Sequence, residues 1–330
     1  MPSAARRRGH GSPARAGSPG CFEVEVQPPS PFRLGRGSAD RTLRVEGGVA
    51  ARLLTVDRAP VLVRAWMRGA GRVAFRAEAV DPAALTIPVP AEEPRPAGRE
   101  ELATAIRRLR FALGVDEDLS AFYRRFRRDP LVGPIVRRRP DFRPHLRPWP
   151  WEALAQAVCG QLIEAKRAAA IERRLVARWG ARLGEGREAL RDTPPVALIA
   201  GRAPAELQSM DLSGGRSVAL RKLAVEVARG RCDLGSPESD ARLLAVPGIG
   251  PWTVRCLALF GRGDLDALPA GDLGYIKLVG HLAGLGRRAT VPEVEEFYAP
   301  YEPYRGLVGS LTLAGLHRLV AEGPRLPLAA

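Results

Sequence analysis

The chain has 330 residues and a formal net charge of +15. That length suits two or more domains, and a charge so strongly positive favours a polyanionic partner such as nucleic acid. Its four cysteines are too scattered for a zinc or iron–sulfur motif and are typical of a reduced cytoplasmic protein. No apolar run approaches the roughly 20 residues that a membrane helix needs, so we expect no membrane partner.

The N-terminal part of the chain is predicted to hold a short tail and a strand-rich domain. Residues 1–20 are rich in Arg, Gly, Ser and Pro, a composition typical of a disordered basic tail. In Arg72–Val80 the larger apolar residues alternate with charged ones, and Val61–Met67 is also strand-like. Both patterns indicate strands of one antiparallel sheet, so residues 21–92 are predicted to form a small α+β domain.

A proline-rich linker at residues 93–99 is predicted to lead into a helical domain at residues 100–326, because proline favours neither a helix nor a strand ladder. The apolar spacing beyond the linker is helical and has no fixed repeat, so the expected fold class is mainly α with an N-terminal α+β domain. The expected helices are Glu100–Leu113, Leu119–Arg128, Trp151–Trp179, Arg187–Ala200, Gly215–Arg229, one on each side of residue 248, Asp272–Leu285, Val291–Tyr298 and Tyr304–Ala321.

A glycine-containing motif, Val246-Pro-Gly-Ile-Gly-Pro-Trp-Thr253, lies between two short predicted helices. Gly248 and Gly250 flank one apolar residue, so the backbone is able to turn tightly and present free N–H groups to an anion such as a DNA phosphate. Pro251 occupies a position that suits the first turn of the second helix. The pattern is that of a helix-hairpin-helix.

An isolated acid, Asp272, follows Trp252 by twenty positions, in a loop that contains glycine and proline. Such an acid is able to cap the next helix and to face a cleft. Taken alone, the glycine motif also fits an ordinary turn, Asp272 a structural cap, and Trp252 a core residue. Their combination suggests DNA chemistry.

Four stretches together resemble the helix-hairpin-helix DNA glycosylases, and within them the bacterial 3-methyladenine DNA glycosylase II type. The first is Asp118-Leu-Ser-Ala-Phe-Tyr123 with Asp129-Pro130, and the second is Trp151–Leu162 leading to Lys166–Ala170. The third is the hairpin with its acid, and the fourth, the weakest, is Tyr301-Glu-Pro-Tyr-Arg305. The order of a strand-rich start followed by helices is also similar to that type.

The resemblance implies a role for each matching residue. Asp272 matches the catalytic aspartate. The residues implied to bind substrate or to wedge near the base site are Trp252, Gln161, Leu162, Tyr301 and Tyr304. Those implied to bind the DNA backbone are Val246, Gly248, Ile249 and Gly250, to which we add Arg255 and Arg216 as candidate phosphate contacts. No cofactor is implied, apart from a monovalent cation on the backbone carbonyls of Leu244, Val246 and Ile249.

The sequence also departs from the family pattern. Cys256 and Leu273 stand where a close relative would offer tyrosines, and Tyr301 and Tyr304 replace tryptophans, so a less aromatic and differently selective pocket is expected. Branches of the family that also cut the strand have a lysine at the position of Trp252. Trp252 therefore implies a monofunctional enzyme.

The function that this resemblance implies is excision of flipped-out alkylated purines, of the 3-methyladenine and 7-methylguanine class, in base excision repair. The implied partner is double-stranded DNA with damaged bases, and we expect a monomer in the bacterial cytoplasm, associated with the nucleoid. Two alternatives stay open. One is an oxidised-purine glycosylase that cleaves strands, and the other is a non-catalytic helix-hairpin-helix DNA-binding protein.

Overall fold

A computed structural model describes residues 20–87 and 93–315 of the chain. The predicted tail and the end of the predicted helical domain therefore lie mainly outside the described residues. The strands are β1 Cys21–Val26, β2 Leu43–Glu46, β3 Val49–Val56, β4 Ala59–Met67, β5 Val73–Ala79, β6 Leu85–Thr86, β7 Arg182–Leu183 and β8 Leu190–Arg191.

The α-helices follow the first six strands, with β7 and β8 between α5 and α6. Their bounds are α1 Arg99–Leu113, α2 Ser120–Phe126, α3 Gly133–Arg138, α4 Pro150–Gly160, α5 Ala165–Trp179, α6 Val196–Ala200, α7 Pro204–Gln208, α8 Gly214–Ala228, α9 Asp240–Leu244, α10 Pro251–Cys256, α11 Leu273–Leu282, α12 Val291–Tyr298 and α13 Arg305–Ala314. Among the described residues, no helix is long and apolar enough to cross a membrane.

The N-terminal strands form an antiparallel sheet in the order β1-β5-β4-β3-β2. Val61 pairs with Ala79 and Met67 with Val73, which confirms the two strands predicted from residue alternation. Helix α1 packs on one face of this sheet and buries Leu102, Ile106 and Leu109 in a common core. The sheet followed by helices confirms the expected fold class, whereas the division into domains stays a prediction.

The remaining helices surround two further apolar cores. One is built mainly from α4, α5, α8 and the helices around residue 248. The other is built from α2, α3 and α11–α13 and contains an aromatic cluster in which Phe122, Phe126, Tyr298 and Tyr301 contact one another or their neighbours. The candidate residues of the hairpin lie on the first core, and the helix that follows Asp272 lies on the second.

Two of the predicted helices are wrong in their extent. The segment predicted as one helix, Trp151–Trp179, is two helices, α4 and α5, because the chain turns at Leu162, whose φ of +56° is incompatible with a right-handed helix. The predicted helix Arg187–Ala200 is instead strand β8 followed by the short helix α6, which begins only after Pro194-Pro195. Proline restricts the residue before it to extended backbone and ends helices in this way.

Buried charges join the sheet to the helices. Arg52 of β3 is 2% exposed, and its guanidinium donates to Glu152 of α4 at 2.7 Å and to Thr42 Oγ1 at 2.6 Å. A second arginine, Arg147, pairs with Asp40 and donates to Glu172 of α5 at 3.3 Å. Because these partners are distant in sequence, the network fixes the sheet against α4 and α5.

The carboxyl group of Glu172 makes the stability of this interface depend on pH. Burial raises the pKa of Glu172 from 4.5 to about 7, against the opposing charge of Arg147. The folded state therefore keeps a proton that the unfolded state releases, so this contribution is complete below pH 4.5 and is lost as the pH rises through about 7. We expect the free energy of unfolding to fall by about 3 kcal/mol from this group between pH 4.5 and pH 8.

Chemical denaturation of wild type and Glu172→Gln at pH 5 and pH 8 tests this expectation, because glutamine removes the titration and keeps the side-chain size. The free energy of unfolding of Glu172→Gln, relative to that of wild type, should be higher at pH 8 than at pH 5. Glu226→Gln is the control, since arginine partners lower the pKa of Glu226 and move its titration below this window. An equal difference at both pH values in Glu172→Gln would contradict the raised pKa.

Candidate functional site

The hairpin between α9 and α10 is anchored by its apolar residues, while its glycines stay partly or fully exposed. Val246 and Ile249 are 8% and 7% exposed and pack in the core of the surrounding helices. Gly248 has φ +87°, a conformation that glycine adopts without strain, and it is exposed. A Cβ atom built on Gly248 would lie 3.5 Å from the Ala219 Cβ of α8, so the hairpin rests directly on that helix.

The amide groups of this hairpin are available to an anion. Within the described part of the chain, no oxygen accepts a hydrogen bond from the backbone N–H of Gly248 or Gly250. Gly250 is the N-cap of α10, and no side chain caps that helix. A helix start with free N–H groups attracts negative charge because the helix dipole is positive there. This arrangement is suited to binding a phosphate.

Asp272 begins α11 as its N-cap. Its Oδ1 accepts a hydrogen bond of 2.7 Å from the Gly274 N–H, and its side chain is partly exposed. The carboxylate is therefore held in one orientation by the start of the helix while remaining accessible. This geometry agrees with a role of Asp272 as a helix cap, one of the two interpretations that the sequence leaves open. The second carboxylate oxygen remains available for a catalytic role.

Trp252 lies between the end of α4 and the loop that carries Asp272. Cβ atoms built on Gly160 and Gly271 would lie 3.7 Å from the Trp252 Cη2 and 3.6 Å from its Cβ, so one glycine lies close to each end of the side chain. The indole N–H is buried and has no hydrogen-bond partner in the described residues. The fold thus brings the hairpin, the end of α4 and the Asp272 loop together at one tryptophan.

Gln161 and Leu162 occupy the turn that separates α4 from α5. The side-chain amide of Gln161 donates to the Gly248 carbonyl at 2.9 Å and to Thr253 Oγ1 at 3.0 Å. These bonds fasten the turn to the hairpin across 87 positions of sequence. Leu162 beside it is 92% exposed, an unusual state for leucine. Thr253, which the sequence analysis missed, is the buried partner that completes this connection.

Other predicted site residues lie in different surroundings. Tyr301 is buried, donates to Asp129 at 3.3 Å and packs on Phe126, while Tyr304 packs on Phe122. These contacts are those of core residues, and a role in substrate binding stays a prediction for both tyrosines. Leu273 is 39% exposed at the start of α11.

Cys256 lies near the candidate acid. Burial, together with the charge of Asp272, raises the pKa of its thiol well above the ordinary value. The thiol is therefore neutral, and it forms an apolar side of the site. Burial and the neighbouring Tyr298 and Asp272 raise the pKa of Tyr275 in the same way, so its hydroxyl also stays protonated. The carboxylate of Asp272 thus has weakly polar, uncharged neighbours on its inner side.

The two candidate phosphate-binding arginines differ in their contacts. Arg216 donates to the Cys159 carbonyl at 2.7 Å and to Ser213 Oγ at 3.1 Å, so its guanidinium ties α8 to the end of α4. Arg255 is exposed on α10, and among the described residues it has no hydrogen-bonded partner. Arg255 is therefore the better placed of the two to meet a ligand.

The three backbone carbonyls implied as a cation site belong to the end of α9 and to the hairpin. In the described residues, the carbonyls of Leu244 and Ile249 accept no hydrogen bond, whereas that of Val246 accepts one from the Ile249 N–H at 3.0 Å. Carbonyl oxygens suit a hard cation, and two of these three are free, so the residues fit the implied group. No cluster of three or more His, Cys, Asp or Glu side chains in the described residues is arranged to hold a metal.

Sequence comparison identifies two informative relatives. The chain is 31% identical over 210 residues to a Mycobacterium tuberculosis protein named "Probable bifunctional transcriptional activator/DNA repair enzyme AlkA", covering 62% of this chain and 41% of that protein. It is 25% identical over 197 residues to a Bacillus subtilis DNA-3-methyladenine glycosylase, covering 58% and 65% of the two chains. The chain thus spans about two fifths of the length of the first relative. No protein-family model matches the chain.

Comparison of folds identifies solved structures with a similar architecture. A 3-methyladenine DNA glycosylase from Archaeoglobus fulgidus superposes with a TM-score of 0.73 at 19% identity, covering 90% of this chain and 99% of that one. An 8-oxoguanine glycosylase/lyase from Clostridium acetobutylicum superposes with a TM-score of 0.66 at 14% identity, covering 93% and 98%. At these identities the superpositions establish a shared fold, and they extend over both the sheet and the helices.

Proposed function

We propose that the chain, which is similar in sequence to a DNA repair enzyme and to a DNA-3-methyladenine glycosylase and shares the fold of a 3-methyladenine DNA glycosylase, belongs to the helix-hairpin-helix DNA glycosylases and is a monofunctional DNA N-glycosylase that excises alkylated purines. The observation that supports this most is that three segments of the chain, each with one candidate group, meet at Trp252. The hairpin has free amides, the loop after Gly271 has the accessible carboxylate of Asp272, and the turn after Gly160 has the exposed Leu162. Each provides a different part of base excision, namely binding of the strand, bond cleavage and extrusion of the base.

Strand binding and base flipping come first. The amides of Gly248 and Gly250 would bind a DNA phosphate, which fixes the strand without reading sequence. Leu162 would enter the stack and replace the extruded nucleotide. Flipping costs roughly a few kcal/mol and is easiest for damaged bases, which gives the enzyme part of its selectivity.

Cleavage would then rely on the charge of the lesion. A purine alkylated at N3 or N7 is positively charged, so it is attracted to an aromatic face such as Trp252 by about 0.5 to 2 kcal/mol. When the C1′–N9 bond breaks, the base keeps the electron pair and leaves as a neutral molecule. The sugar approaches an oxocarbenium ion, which the carboxylate of Asp272 would stabilise. Water then bonds to C1′ and releases a proton.

We expect no strand cleavage, because Trp252 occupies the position at which strand-cleaving members of the family have a lysine. Strand cleavage by this family would require an amine that forms a Schiff base. The chain has only three lysines, Lys166, Lys222 and Lys277, and none of them stands at position 252. The strand-cleaving oxidised-purine enzyme and a non-catalytic DNA-binding protein are the alternatives. The accessible Asp272 favours an enzyme over the second of these.

The proposed partner is double-stranded DNA with damaged bases, bound by a monomeric enzyme in the bacterial cytoplasm and nucleoid. The carbonyls of Leu244, Val246 and Ile249 would hold a monovalent cation that neutralises charge beside the bound phosphate. No other cofactor is proposed.

The direct test is base release from duplex DNA that carries 7-methylguanine or 3-methyladenine. A denaturing gel is run with and without alkali, which cleaves abasic sites. Release of free base with strands that break only after alkali would support the proposal. Strand breakage without alkali would favour the strand-cleaving alternative, and DNA binding without release from any lesion, including hypoxanthine and oxidised purines, would favour the non-catalytic one.

Leu162→Gly is expected to slow base release without destabilising the protein. Glycine accepts the φ of +56° freely, and Leu162 is 92% exposed, so the free energy of unfolding should stay unchanged or rise by up to about 1 kcal/mol. The rate of base release should fall by at least about tenfold, because a wedge that contributes as little as about 1.4 kcal/mol to flipping accounts for that factor. Single-turnover kinetics and thermal unfolding measure the two effects.

Asp57→Gly is the matched control, because Asp57 also has positive φ, at +45°, and is exposed in the turn between β3 and β4. It should relieve similar strain and leave base release unchanged. Equal rates for Leu162→Gly and wild type would remove the wedge from the proposed mechanism.

A further inference from the structure

A groove of about 470 Å³ lies beside the hairpin, on the side of α8. Apart from Val246, its lining residues have no part in the proposed base excision. Basic side chains share its lining with the apolar residues that lead into the hairpin. We call it the α8 groove, and its lining residues are Arg221, Lys222, Val225, Glu226, Arg242, Ala245, Val246 and Pro247.

The charges in the α8 groove are unevenly compensated. Its one acid, Glu226, accepts hydrogen bonds from Arg242 at 2.7 Å and from Arg231 at 3.0 Å, so two cations already neutralise it. Arg221 and Lys222 are exposed, and neither has a carboxylate partner in the part of the chain that the structure describes. The groove therefore has an excess of positive charge located on these two side chains.

The position of this charge relative to the hairpin is fixed by packing. Gly248 rests on Ala219, and Arg221 and Lys222 follow Ala219 by two and three positions on the same helix. Since a helix rises 1.5 Å per residue, their Cα atoms lie about 3 to 4.5 Å further along the helix axis than that contact. The groove is also lined by Val246 and Pro247, which directly precede the exposed Gly248. A ligand held by the hairpin amides would continue into this groove.

We propose that Arg221 and Lys222 bind a DNA backbone phosphate adjacent to the phosphate held by the hairpin amides. The ligand class is a phosphodiester, because the groove pairs two uncompensated cations with apolar walls and no free acid. This contact rests on the proposed function and extends its DNA-binding surface along α8. It positions the strand and takes no part in bond cleavage. Phosphate contacts of this kind are independent of sequence and release counterions.

The test is the salt dependence of binding of the full chain to a fluorescein-labelled undamaged duplex, followed by anisotropy. In Arg221→Gln/Lys222→Gln the slope of log Kobs against log salt should become shallower by about 1, since the loss of one phosphate contact removes about 0.9. Affinity should fall on the order of tenfold at moderate salt. Single-turnover base release from 7-methylguanine duplex at saturating enzyme should change little, because the groove does not contact the base.

The control is Arg178→Gln/Arg187→Gln, which removes the same charge from two exposed arginines away from the hairpin. Its slope should match that of wild type. An unchanged slope in the groove variant, or an equal change in the control variant, would overturn the proposal while base release by wild type leaves the glycosylase function standing. A wild-type chain that neither binds DNA nor releases bases would overturn both. Circular dichroism verifies that the variants are folded.

Discussion

Asp272→Asn is expected to lower the rate of base release from alkylated duplex DNA by about 10²- to 10³-fold, without destabilising the protein. The amide lacks the negative charge that would stabilise the oxocarbenium-like sugar. Asparagine is as good an N-cap as aspartate, so the hydrogen bond to the Gly274 N–H is kept. Single-turnover release of 7-methylguanine gives the rate, and thermal unfolding gives the stability.

Two further variants separate the catalytic role of Asp272 from its role as a cap. Asp272→Ala should lose activity and also about 1 kcal/mol of stability, because alanine removes the N-cap. Asp233→Asn is the matched control, since Asp233 Oδ1 accepts a similar hydrogen bond from the Gly235 N–H at 2.8 Å in an exposed turn. It should change neither property. An Asp272→Asn protein that releases bases at the wild-type rate would contradict the proposed mechanism.

Arg52→Met is expected to lower the free energy of unfolding at pH 7 by about 3 to 5 kcal/mol. Arg52 and Glu152 are both nearly inaccessible to solvent, and removal of the cation leaves the carboxylate buried without its partner. The charge of Arg52 also lowers the pKa of the buried Asp192, whose burial by itself raises that pKa. One substitution therefore removes a compensating cation from two buried acids at the boundary between the sheet and the helices.

The measurement is urea denaturation of wild type, Arg52→Met and the double variant Arg52→Met/Glu152→Gln. The double variant should regain much of the loss, because neutral groups of similar size replace the buried pair. Arg64→Met is the control on the neighbouring strand. Its pair with Glu78 is partly exposed, so a loss of less than about 1 kcal/mol is expected. Equal losses for Arg52→Met and Arg64→Met would contradict a special role of the buried network.

The destabilisation by Arg52→Met should also depend on pH. Burial raises the pKa of Glu152, and Arg52 opposes that effect. Without Arg52 the carboxyl of Glu152 becomes protonated more readily, which removes the buried charge. The loss should therefore be smaller at pH 5 than at pH 8, and denaturation at both values gives the sign.

The sequence by itself determined the features that depend on neighbouring residues. The alternation in Arg72–Val80 predicted strand β5, and the glycine pair at 248 and 250 predicted the turn between α9 and α10. The position of Asp272 before an apolar helical stretch predicted the cap of α11. These features could be predicted because backbone conformation and capping act within a few residues.

Only the tertiary structure decided which distant residues meet. Gln161 reaches the hairpin across 87 positions and Arg52 meets Glu152 across 100, and no local pattern indicates either pair. The break of the predicted helix Trp151–Trp179 at Leu162 is of the same kind. The local apolar spacing favours one continuous helix through this turn, whereas the hydrogen bonds from Gln161 connect the turn to the hairpin. In the folded structure Leu162 has a left-handed backbone conformation, and the helix is broken there. Side-chain packing and buried charge pairing depend on the whole fold, so they appear only once the chain is folded.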